Sequence, residues 1–370
     1  MKRLGLLLLS MVLALSFAVP SMAAATNAVT TAVLIGGGAG DPPVVKCKWE
    51  WPDDADPAYP GYTTTSIPGT QIMPPVSYQG TKPVEFYAVV TDSSGVNTVR
   101  DVWADVWHPL GAPENGSFKF QVQLAKHYDG STPDLFVSLA LAKFDTAVQA
   151  GVIKFNTGFT AAEVREELIQ GDAQLFEGAY VMSYHQPYGT YKVIVTAFDS
   201  SNNQGTLENH FLYYGVTATE FDFIAIDYGT VQVQTDVLRG GDTVFSQGDG
   251  KPTVRNIGNT WAKIWLFQDD MGFGQTVGQV PPWNVLFDAR LGDALTGTLI
   301  HFDPAFAKGA TPTPNGPKTV LPDILKLCNT QKLDFSILVK KALLSSYSGN
   351  MWIGAQFEQF NPAPTPYTVP

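Results

Sequence analysis

The sequence predicts an all-β chain of two tandem antiparallel β-sandwich domains, the first carrying a helical insertion. Three observations lead there. Long stretches alternate apolar and polar residues with a period of two, which is how a half-buried strand is written. Clusters of Gly, Asn, Asp and Ser separate those stretches, as in Asn256-Ile257-Gly258-Asn259 between Pro252–Arg255 and Thr260–Gln268. Within the first domain, one segment alone changes to a helical period. The expected boundaries are a signal peptide at 1–23, a Pro/Gly-rich extension at 24–79, a sandwich at 80–215 with its insertion near 129–176, a second sandwich at 216–358, and a Pro-rich tail at 359–370.

The N-terminus reads as a secretory signal. Lys2 and Arg3 precede the apolar run Leu4–Val19, and Ser21-Met22-Ala23 is a small-x-small cleavage site. The mature chain is therefore expected to be secreted, outside the cell or at its surface, with no membrane span after cleavage. The extension holds one β-prone piece, Asn27–Ile35, followed by the run Gly36–Gly40. Val29, Val33 and Ile35 make it a candidate strand for exchange into the open edge of a sandwich, in a neighbour or in its own chain. Eight prolines from Pro42 to Pro75 then keep the chain extended or turning.

In the first sandwich, Val84, Phe86, Ala88 and Val90 alternate with Glu85, Tyr87 and Val89. Val102, Ala104 and Val106 alternate with their own neighbours, and Phe118, Phe120, Val122 and Leu124 form the cleanest alternation in the chain. Asp134–Ala150 and Thr160–Gln170 read as helices. Thr160 and Glu163 form a capping box, and Gly171 is placed to end the second helix. Strands resume at Gly178–His185, Tyr191–Ala197 and Asn209–Tyr214. The second sandwich is expected to use Phe221–Ile226, Thr230–Thr235, Thr253–Asn256, Ala262–Gln268, Val285–Leu291, Leu333–Val339 and Asn350–Phe357, with Leu321–Leu327 as a short helix and Pro312–Pro317 as a loop.

Composition narrows the function. The 34 Asp and Glu against 23 Lys and Arg, with no basic cluster, disfavour nucleic acid as a partner. There is no Gly-x-Ser-x-Gly elbow, no His-Glu-x-x-His pair, no phosphate loop and no dinucleotide fingerprint. The histidines His108, His127, His185, His210 and His301 are too scattered to suggest a metal. No catalytic residue and no cofactor is expected. Calcium is the one metal with candidate ligands, the oxygen-rich turns at Asp53, Asp54 and Asp56 and at Asp199 and Asn202. The same residues are also ordinary turn formers. Cys47 and Cys328 either pair, closing a loop of roughly 280 residues, or stand as two separate thiols. Asn115-Gly116-Ser117 is a glycosylation sequon.

The aromatic residues carry the sharper signal. When Val102, Ala104 and Val106 face a core, Trp103 and Trp107 face away from it. The same logic turns Trp265 and Phe267 outward from Ala262, Ile264 and Leu266, and Trp352 outward from Met351 and Ile353. An outward Trp finds a covering surface: another part of the chain, another subunit, or a sugar ring.

The pieces Gly189-Thr190-Tyr191-Lys192-Val193 and Ala197-Phe198-Asp199-Ser200 resemble late strands of immunoglobulin-like domains in prokaryotic surface proteins. Val254–Thr260 and Tyr347-Ser348-Gly349-Asn350 are similar to sandwich modules of archaeal and bacterial secreted proteins. The resemblance implies two immunoglobulin-like sandwiches. Together with the composition, it leads to the expectation of a non-enzymatic extracellular structural or assembly protein of a cell-surface layer, sheath, fibre or adhesive coat. Its partners would be itself or other cell-surface proteins. The alternatives are a polysaccharide-binding protein with exposed Trp platforms, and an extracellular hydrolase.

Overall fold

The computed structural model describes residues 40–55, 69–75, 77–127, 133–274, 284–292, 299–302, 318–365 and 367. Its first half is built from β1 (Val44–Trp51), β2 (Gln71–Ile72), β3 (Thr81–Thr91), β4 (Val99–Trp107), β5 (Phe118–Lys126), α1 (Pro133–Ala150), β6 (Lys154–Phe155), α2 (Ala161–Gln170), β7 (Gln174–Ser183), β8 (Gly189–Asp199) and β9 (Gln204–Tyr213). The strands form one sheet in the order β2-β9-β8-β4-β5-β7-β3-β1-β6, antiparallel throughout except for β2 with β9. β5 meets β7 over only two residue pairs, Ala125 with Glu177 and Lys126 with Phe176, and the sheet folds over at this join. Its far ends also meet, since Thr70 Oγ1 donates to the Glu50 carbonyl at 2.6 Å and the Asp54 N–H to the Gln71 carbonyl at 2.7 Å.

The curled sheet encloses its own core. Val84, Phe86, Ala88 and Val90 of β3 meet Val102, Ala104 and Val106 of β4 and Tyr191, Val193 and Val195 of β8, all fully buried. Burying each large side chain here stabilises the fold by about 1.5–3 kcal/mol. The other face of β1 and β3 is covered as well. Cys47, Trp49, Tyr87 and Val89 pack under Phe144 and Ala147 of α1 and Val164 and Leu168 of α2. Helix α2 begins on the predicted capping box, with Glu163 N–H donating to Thr160 Oγ1 and Thr160 N–H to Glu163 Oε2, and ends on Gly171 at φ 79°.

Several expectations for this half are corrected. β1 and β2, within the stretch read as an extension, are strands of the main sheet. β1 escaped notice although Lys46–Trp51 alternates charged and apolar residues, because Pro42, Pro43 and Pro52 around it made the stretch read as an extension. The insertion is not purely helical, because β6 pairs with β1 and β7 begins at Gln174 rather than Gly178.

The second half contains β10 (Thr219–Phe221), β11 (Asp236–Arg239), β12 (Thr253–Asn256), β13 (Trp261–Gln268), β14 (Val285–Leu291), β15 (Ile300–Phe302), β16 (Thr319–Val320), β17 (Thr330–Val339) and β18 (Met351–Glu358). One sheet runs β10-β12-β17-β14-β15, with β11 also on β17, and a smaller one runs β16-β13-β18. Ala262, Ile264 and Leu266 of β13 share a core with Val285, Phe287, Ala289 and Leu291 of β14 and Leu333, Phe335 and Ile337 of β17.

Three element predictions fail here for visible reasons. The strand expected at Phe221–Ile226 stops at Phe221, because the Asp222 carboxylate turns to accept Thr253 N–H at 2.7 Å and Ser246 N–H at 3.0 Å. The strand expected at Thr230–Thr235 is broken by Gln234 at φ 67°, and regular pairing starts only at Asp236. Leu321–Leu327 is no helix. Leu321 N–H donates to the Ile264 carbonyl and Leu325 N–H to the Ala262 carbonyl, both at 2.8 Å, so the segment is a bulged continuation of β16 along β13. Its buried leucines four apart mimic a helical period because the bulge adds residues between them.

The Asn256–Asn259 turn is also not a hairpin. β12 and β13 lie in different sheets, and the turn carries the chain across the core. Finally, the Pro-rich tail is docked as far as it is described. Thr365 N–H donates to the Leu110 carbonyl at 2.9 Å, and the Tyr367 ring stacks on His210 with centroids 5.5 Å apart.

Candidate functional site

Two surface features stand out. The first lies where α1 crosses β1 and β3. Trp49, Trp51, Glu85, Tyr87, Lys143 and Thr146 line a cavity of about 300 Å³. Trp49 and Tyr87 stack with centroids 5.0 Å apart and planes 12° from parallel, which fixes one wall. The Tyr87 hydroxyl donates to Glu85 Oε2 and accepts from Lys143 Nζ at 3.0 Å. Lys143 also pairs with Glu177 at 2.9 Å, and His127 Nδ1 lies 2.8 Å from the other oxygen of that carboxylate.

The charges follow from these contacts. Burial, reinforced by the Glu85 carboxylate, pushes the Tyr87 phenol up to about 12. Burial alone would raise the Glu177 carboxyl, but the bonds from Lys143 and His127 outweigh it and hold it below its ordinary value. The cavity thus offers flat aromatic walls with a carboxylate, an ammonium and a hydroxyl at its rim, the chemistry that binds a polyhydroxylated ring.

The second feature is the edge of the small sheet. Among the described residues β18 pairs only with β13, so one side of an eight-residue strand has no ladder partner. Next to its start lies a groove of about 250 Å³ of mixed character, where Ile224, Ile226, Met351 and Ile353 meet Tyr228, Gln268 and Asn350. Of its lining residues, Ile224 stands fully in solvent.

The aromatic residues singled out from sequence are mostly covered. Trp103 and Trp107 do face away from the core, but both are half-buried. Lys192 Nζ sits 4.7 Å over the Trp107 ring and Phe118 packs edge-on against it. Trp265 lies against Gly354 of β18, its Nε1 donates to the Ala355 carbonyl at 3.3 Å, and Lys318 caps the ring at 5.1 Å. Phe267 is buried, against expectation, because Trp352 on the paired position of β18 covers it with centroids 5.2 Å apart. These side chains do not form a bare row. Trp51 and Tyr87, which do line a cavity, were missed. The spacing Trp49-x-Trp51 was their only sequence signal.

The oxygen-rich turns are internally bonded. Asp53 Oδ1 accepts Gln71 N–H at 2.8 Å, and Asp54 Oδ2 accepts Met73 N–H at 2.9 Å and pairs with Lys82. Asp199 accepts from Ser201 and Asn203, and Asn202 Oδ1 from Arg100. Among the described residues no group of three or more His, Cys, Asp or Glu is placed to hold a metal. Asp56, Val29, Val33 and Ile35 lie outside the described residues. The candidate disulfide is absent, since both thiols are free. Cys47 is buried under the helices while Cys328 is exposed at a turn at φ 58°. Asn115 is exposed, and its Oδ1 accepts Gly111 N–H at 2.9 Å. Among the described residues no helix is long and apolar enough to cross a membrane.

No known family model and no curated protein matches the sequence. Among solved structures, the chain is similar to a chaperone complex with the tip adhesion subunit of archaic chaperone–usher Csu pili of Acinetobacter baumannii, at 8% identity over 78% of this chain and 97% of that one, with a TM-score of 0.24. A chaperone–tip adhesin complex of CFA/I fimbriae follows at 9% identity, 78% and 79% coverage and a TM-score of 0.23. The C-terminal domain of the antigen I/II-family protein AspA of Streptococcus pyogenes follows at 12% identity, 85% and 95% coverage and a TM-score of 0.18. Superpositions this loose assign no shared fold, and the functional argument rests on the chain's own geometry.

Proposed function

We propose that the protein is a secreted, non-enzymatic structural component of a cell-surface assembly, joined to further copies of itself through the open edge of β18. The observation that supports this reading is the unpaired eight-residue edge beside a groove at which Ile224 stands fully in solvent. An open edge is a row of unpaired backbone donors and acceptors, and natural proteins cover or charge such an edge when it has no partner. Here β18 carries no charge before Glu358, and Ile224 lies bare beside it. A strand of a second copy would complete the ladder and cover Ile224, and a head-to-tail contact of this kind builds a filament. The test is Ile224→Lys, at an exposed position that leaves the core intact. Light scattering and electron microscopy should show concentration-dependent assembly of the natural chain and smaller particles for the variant. A natural chain that stays monomeric at all concentrations overturns the reading.

The cavity at Trp49, Trp51 and Tyr87 favours a second reading, recognition of a saccharide. Trp51→Ala should weaken retention on insoluble polysaccharides at least tenfold, while equal retention of both chains removes this reading.

A further inference from the structure

Two charged side chains of β1 point into the core that the curled sheet encloses. In the β1–β3 register Lys48 lies opposite Ala88 and Glu50 opposite Phe86, and both partners line that core. Lys48 and Glu50 are completely buried and form an ion pair at 2.6 Å. Removing two charges from water costs several kcal/mol each unless every polar atom is then satisfied. Here Glu50 Oε2 has no hydrogen-bond partner.

A third polar side chain faces the same core. Asn209 alternates on β9 with Leu207, Phe211 and Tyr213, all core residues. It is buried, and neither its Oδ1 nor its Nδ2 has a hydrogen-bond partner. β1 and β9 run side by side in the same direction. At one end Gly205 abuts the Pro43 carbonyl so closely that a Cβ there would clash with it. At the other, Thr70 bonds the Glu50 carbonyl while its own carbonyl accepts Leu212 N–H. Gly69, one residue earlier, lies against His210 and near the Asn209 amide. This brackets Asn209 beside Lys48 and Glu50. Glu208 and His210, its neighbours in sequence, both lie within electrostatic range of Lys48.

We propose that Lys48 and Asn209 are the two ends of an intramolecular amide crosslink, formed with Glu50 as proton carrier and with loss of ammonia. Glu50 takes a proton from the Lys48 ammonium. The freed Nζ lone pair then bonds to Asn209 Cγ, giving a tetrahedral centre. The Cγ–Nδ2 bond breaks, its electron pair leaves with Nδ2, and Glu50 returns its proton to that nitrogen while taking the surplus one from Nζ. One C–N bond replaces another and the leaving nitrogen departs as ammonia, so no oxidant or reductant is needed. Burial favours the neutral amine that attack requires, and opposes the attraction of Glu50 that would keep it charged. The product also removes a buried charge and satisfies the orphaned amide. A bond between the first and last strands of the curled sheet would resist their separation under load. The inference stands on these residues alone and does not depend on the assembly reading.

The test is the intact mass of the denatured full chain, with its N-terminus determined, followed by a peptide map. The expected result is a mass lower than the sequence mass by one ammonia, and one peptide pair joined through Lys48 and Asn209. Asn209→Ala and Glu50→Gln should both show the full mass of their own sequences. A natural chain at full mass overturns the proposal. So does loss of ammonia without a joined pair, the signature of a succinimide at Asn209. A joined pair that persists in Glu50→Gln overturns the assignment of the proton carrier.

Discussion

Asn259 holds Val216 by a hydrogen bond of 2.6 Å from the Val216 N–H to its Oδ1, and its Nδ2 donates at 2.6 Å to the carbonyl of Tyr214. One fully buried side chain in the turn after β12 thus grips the segment that leaves β9. The turn had to cross between sheets to deliver it. Asn256, at the other end of the turn, uses its Nδ2 to bond the Thr260 carbonyl at 2.8 Å and hold the crossing in shape.

Asn259→Ala should therefore destabilise the chain by about 2–4 kcal/mol, since it leaves the buried Tyr214 carbonyl and the half-buried Val216 N–H unpaired. Asn259→Asp keeps the acceptor for Val216 but sets a carboxylate against the Tyr214 carbonyl, and should also destabilise. Urea unfolding checks both. Midpoints unchanged from the natural chain would show that water replaces these bonds at no cost.

Much of the strand content was legible because half-buried strands alternate. β5 and β14 alternate apolar with mostly polar residues, β4 and β13 alternate core residues with a mixed aromatic and charged face, and each was found close to its true bounds. β1 was not, because flanking prolines masked its alternation, and its faces are inverted as well: apolar Cys47 and Trp49 face the helices while the charged Lys48 and Glu50 face the sheet core. That inversion has no signature in a periodicity, and it hid both the cavity at Trp51 and the buried cluster around Lys48. Which sheet a strand joins was also hidden. The Asn256–Asn259 turn looks like a hairpin in sequence, and only the long-range bonds of Asn259 to Tyr214 and Val216 make it a crossing.

Trp265 and Gly354 occupy directly paired positions on β13 and β18, and the indole lies across the glycine. A Cβ at position 354 would fall 2.5 Å from the ring. Gly354→Val should push the indole into solvent, shift its emission to the red, and cost about 1–3 kcal/mol. Trp265→Leu in the same background should remove most of the added cost, because the clash then has no partner. Equal penalties for Gly354→Val with and without Trp265 would sink this account.

His108 gives the chain a pH response. It is buried beside Tyr191, its ring 5.8 Å away, and its Nδ1 has no hydrogen-bond partner. Burial, with the nearby charge of Lys119, pushes its pKa from 6.5 down to about 4. The folded chain thus holds the neutral ring where the unfolded chain would already be protonated. Between these two values the unfolded state binds more protons, so stability rises with pH across the window and falls as the pH drops through it. The loss should begin near pH 6.5 and level off near pH 4, reaching on the order of 3 kcal/mol at most. Carboxylates titrate in part of the same range, so the informative quantity is a difference. His108→Gln, which cannot titrate, should show a shallower fall than the natural chain when unfolding is measured at several pH values from neutral to acid. Parallel curves for the two chains would mean that His108 is protonated as readily folded as unfolded, and that its burial does not govern its charge.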